Sequence, residues 1–74
     1  MFLVIEIQTA ADGTIAHIVN NKATINEAES TYHQILASAA LSNIAKHGAV
    51  ILTDEGYPLK HSFYDHTGQP EPEE

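Results

Sequence analysis

The sequence predicts an α+β fold: a two-layer sandwich of order β-β-α-β-β, with one helix on one face of a four-stranded, mostly antiparallel sheet. Three observations carry this reading. Two β-branched runs flank Asp12-Gly13, two more flank Glu55-Gly56, and between the pairs the apolar spacing changes from alternation to a helical period. Residues 1–66 form the single domain, and 67–74 form an acidic tail that lacks an apolar anchor and is expected to be disordered.

The first strand is Phe2-Leu3-Val4-Ile5-Glu6-Ile7-Gln8, and Thr14 to Asn20 forms the second. Gly at the bend accepts positive φ without a Cβ clash, so Asp-Gly between such runs marks a hairpin. Asn26 reads as the helix N-cap, with Glu29 placed to complete a capping box. Ala28, Tyr32, Ile35, Leu36 and Ala39 then share one stripe, and the helix is expected to end near Asn43. Ala49 to Thr53 and Tyr57 to Tyr64 form the second hairpin, with Pro58 suited to an edge strand because it cannot donate to a ladder. Strand order is open at this level. A helical connection also permits the first and third strands to lie adjacent and parallel.

Two-residue loops at both bends assign the faces, because residues two apart share a side. Leu3, Ile5, Ile7, Ala16, Ile18, Val50, Leu52, Tyr57, Leu59 and Phe63 then face the helix. The opposite side carries Phe2, Val4, Ile15, Val19, Ile51 and Tyr64, expected to form an association face. A small chain without cysteine cannot use disulfides to support a marginal core, which favours a homodimer.

Three Lys plus Arg against ten Asp plus Glu give a formal charge of −7. So few cations provide no footprint for direct nucleic-acid binding or for an anionic membrane. The apolar start is broken by Glu6 and is too short for a membrane span, so a cytoplasmic protein is expected. The acidic balance also admits a decoy that occupies the basic groove of a host nucleic-acid-binding protein, although its charges gather in the tail and turns.

Five histidines offer titratable chemistry, and His47 and His66 fall diagonally on one face as candidate metal ligands. A metal needs three or four convergent ligands, so no metal and no cofactor is expected. Ser30, Ser38, Ser42 and Ser62 show no base at a telling spacing, and Tyr32-His33 belongs to the apolar stripe and its margin. The expectation is a non-enzymatic protein.

Ala28-Glu29-Ser30-Thr31-Tyr32-His33, Leu36-Ala37-Ser38-Ala39-Ala40, His47, Asp54-Glu55-Gly56 and Tyr64-Asp65-His66 occur in an order that resembles a family of small uncharacterised proteins of phages and prophages of Gram-positive gut bacteria. The resemblance runs from the first strand to His66. It implies a phage or prophage origin and a bacterial host cell, with a virion-associated or accessory role and a phage structural or host protein as partner. It implies no particular chemistry.

Overall fold

The computed structural model describes residues 1–66; the tail expected to be disordered lies outside them. The chain forms β1 (Phe2–Thr9), β2 (Ile15–Lys22), α1 (Ile25–Leu41), β3 (Lys46–Thr53) and β4 (Pro58–Asp65). The strands make one open antiparallel sheet of order β2-β1-β3-β4, with α1 packed across one face. This is the α+β fold expected from the sequence. β1 and β3 are adjacent but antiparallel, so the parallel alternative does not occur.

Both bends are three-residue loops rather than two-residue loops. Gly13 N donates to Ala10 O at 2.9 Å and Ala10 N to Thr14 O at 2.8 Å. The same pair of bonds recurs from Gly56 to Thr53 and from Thr53 to Tyr57, both at 2.9 Å. Gly13 and Gly56 hold φ of 94° and 89°, which completes a turn whose last residue is left-handed. Asp12 and Thr53 reinforce the bends by accepting bonds from Thr14 N and from Glu55 N and Tyr57 N.

The longer first loop moves β2 by one residue. Ile7 pairs with His17, Ile5 with Val19 and Leu3 with Asn21. Ala16 and Ile18 therefore leave the company of Leu3, Ile5 and Ile7. In the second hairpin a register shift between Ile51 and Leu52, which places Leu59 in a bulge of β4, offsets the longer loop. Beyond it Ile51 pairs with Lys60, Val50 with His61, Gly48 with Phe63 and His47 with Tyr64, as the shorter loop had required.

Over β1, β3 and β4 the helix covers the face opposite to the one expected, while Ala16 and Ile18 of β2 keep to the helix side. Val4 and Ile51 are fully buried beneath α1 with Ala28, Tyr32, Ile35 and Ala49, and Phe2 and Leu36 pack at the edge. The reason is steric and polar together. β1 and β3 are apolar on both sides, so alternation alone does not choose a face. Ala49 meets a helix stripe containing Ala28 and Ala39, and these small residues allow the layers to close. Glu6 and His47 lie on the same side and find partners there.

The helix starts two residues earlier than expected. Thr24, not Asn26, is the N-cap, and its hydroxyl accepts from Glu27 N at 3.2 Å. Its other end stops at Leu41. Ser42 caps it by returning both its backbone N–H and its hydroxyl to Ala39 O, at 3.3 and 3.2 Å.

Candidate functional site

Two constellations distinguish this molecule: a polar chain at the helix C-terminus and the uncovered face of the sheet. The polar chain begins on β1, where Gln8 Nε2 donates to Glu6 Oε2 at 3.0 Å. The same oxygen accepts from His47 Nε2 at 2.6 Å, across the β1–β3 ladder. His47 Nδ1 meets Ser42 Oγ at 3.1 Å, and Ser42 continues to Ala39 O. Burial alone would raise the Glu6 carboxyl, but the hydrogen bonds from His47 and Gln8 and the charge of His47 outweigh it. Its pKa lies below the ordinary 4.5.

A hydroxyl, an imidazole and a carboxylate thus stand in line, an arrangement that spacing in the sequence did not disclose. The available signal was Glu6, an ionisable residue within an apolar strand that needs a buried partner. The chain ties one carbonyl near the helix C-terminus, Ala39 O, to the sheet, and that oxygen also accepts from His66 Nε2 at 3.0 Å. Ser42 lines neither of the surface hollows described below. Its geometry is that of an anchor.

His47 and His66 each hold partners other than one another. Both ring nitrogens of His47 are engaged with Glu6 and Ser42, and His66 holds Ala39 while stacking on Tyr64 at a centroid distance of 6.4 Å. Among the described residues no group of three or more His, Cys, Asp or Glu could hold a metal ion.

The expected association face is corrected residue by residue. Phe2, Val4, Ile51 and Tyr64 lie on the helix side, with Val4 and Ile51 fully buried. Ile15 and Val19 lie on the open side, where register joins them to Leu3, Ile5, Ile7, Val50, Leu52 and Phe63. Phe63 is 60% exposed, Ile15 65% and Val19 47%, values far from those of a covered strand. Two rows cross this face from edge to edge. One reads His17, Ile7, Gly48, Phe63, and the next reads Val19, Ile5, Val50, His61.

The absent side chain at Gly48 leaves a shallow hollow of about 270 Å³ beside Ile7, Val50, His61 and Phe63. Gly is required there: a Cβ would lie 2.4 Å from Phe63 Cβ and 2.6 Å from Ser62 O. A second hollow, of about 320 Å³, lies between the first bend and the segment Asn43 to Ala45.

Comparison with protein-family models, with curated proteins and with solved structures finds no match to this chain. No described helix is long and apolar enough to cross a membrane.

Proposed function

We propose that this chain is a non-enzymatic interaction module whose open sheet face closes on a second copy of itself. The observation that carries this reading is the contiguous apolar surface formed by Leu3, Ile5, Ile7, Val19, Val50 and Phe63, on the side that α1 does not cover. Surface apolar residues are ordinary when scattered, and informative when they form one sheet face.

Size and charge favour a second copy as the occupant. Eight residues at about 3.3 Å and four strands at about 4.8 Å give a footprint near 500 Å² before side-chain relief is added. That approaches the ~800 Å² per partner of a stable complex. Of the seven described carboxylates, Asp65 alone falls on this face. Glu6 is on the helix side, Glu27 and Glu29 are on α1, and Asp12, Asp54 and Glu55 are at the bends. Two copies can therefore meet there with one acid each, Asp65, set beside its cross-strand partner Lys46, despite the charge of −7.

A phage or prophage origin, in a bacterial host cell, accords with the resemblance and with the small size of the chain. In that setting the dimer is an accessory or virion-associated part, and its partner would be a phage structural or host protein.

Sedimentation velocity is the test. The purified chain is expected to sediment as a dimer, and Val19→Asp and Phe63→Asp as folded monomers. A wild-type monomer at high concentration would sink the reading.

A further inference from the structure

We infer that protonation of His17 and His61 releases this association, making the sheet face responsive to mild acid. The inference rests on the self-association proposed above and adds its regulation. His17 lies on β2 between Ile15 and Val19 and opposite Ile7. His61 lies on β4 beside the Gly48 hollow, opposite Val50 and two residues before Phe63. Each imidazole is set into an apolar row that a second copy would cover.

The two residues occupy opposite edge strands. A two-fold, face-to-face packing consequently brings four imidazoles into one interface, whichever way the strands cross. A neutral ring is tolerated in such a layer, whereas an imidazolium requires a carboxylate or water. The charged groups facing them are few. β1 contributes none to this side, Lys46 and Asp65 are cross-strand partners at one end, and the Met1 amino group lies toward the other. Glu27 and Glu29 belong to α1, across the sheet. Acidification thus adds two positive charges per copy to a layer whose fixed side-chain charges, Lys46 and Asp65, already offset each other at one end.

Glu6 and His47 are bonded to each other on the helix side of the sheet, so the experiment must separate fold from association. Sedimentation velocity of the full chain at about pH 8 and about pH 5.5, at equal salt, is paired with far-UV circular dichroism. The expected result is a dimer at the higher pH and on the order of 100-fold weaker association at the lower, with the helix and sheet signal retained. His17→Gln combined with His61→Gln is expected to remain dimeric at both. Equal association at the two pH values overturns the inference and leaves self-association standing, as does a double variant that dissociates like wild type. Loss of the folded signal at the lower pH, shared by the double variant, also overturns it. A monomer at both pH values removes the self-association reading and this inference together.

Discussion

At the scale of single residues, the Glu6 carboxyl, bonded to His47 and Gln8, links the fold to acid. The Glu6 carboxyl is held below its ordinary value in the folded state, so its contribution is complete above about pH 4.5 and is lost as pH falls through the folded value. Urea titrations in steps from neutral pH to about pH 3 are expected to show stability declining through that window in wild type. Glu6→Gln is expected to flatten that decline and to cost about 1–3 kcal/mol at neutral pH, because His47 loses its charged acceptor. The need of Glu6 for a partner was legible in the chain. Its identity was not, because Glu6 and His47 meet only through the β1–β3 adjacency, which local signals do not specify. Ser42 was legible neither as a helix cap nor as the third member of the chain.

At the scale of elements, glycine placement decides both hairpins and one ladder. Gly56→Ala places a Cβ on a residue with φ of 89° and is expected to cost about 1–2 kcal/mol in denaturant midpoint measurements. Gly48→Ala differs in kind, because the added Cβ meets the Ser62 carbonyl, and a backbone atom in a ladder cannot step aside. Its cost is expected at about 1–3 kcal/mol, with amide exchange accelerated along β3 and β4. Thr24→Ala, at the helix start, is expected to remove about 1 kcal/mol. Element type, order and approximate limits were all readable, since turn glycines and helical spacing are local. Loop length was not, because Asp-Gly serves two- and three-residue loops alike. In the second hairpin the bulge at Leu59 restored the pairing that a shorter bend would have produced, so one misread length left no trace beyond Ile51. The first hairpin has no such correction, so β2 slips one residue against β1: Ile15 and Val19 stay on the side away from the helix while their expected β1 neighbours Phe2 and Val4 turn toward it.

At the scale of the whole molecule, the two sides of the sheet make opposite demands on substitution. Ile51→Asp is expected to abolish the fold, as judged by circular dichroism, because it buries a carboxylate beneath the helix. Phe63→Asp is expected to leave that signal intact. That a greasy side exists opposite the helix was readable from apolar strands outnumbering the helices able to cover them. Which side it is was not readable, because β1 and β3 are apolar in both directions and the choice falls to Ala28, Ala39 and Ala49. Among the described residues, only one face of the sheet is covered, by α1. If the open face closes on a second copy as proposed, that copy supplies the other seal, and dilution then destabilises the fold as heat does. Its melting temperature would therefore climb with protein concentration, and the amount a cell makes would help to decide how long each copy lasts.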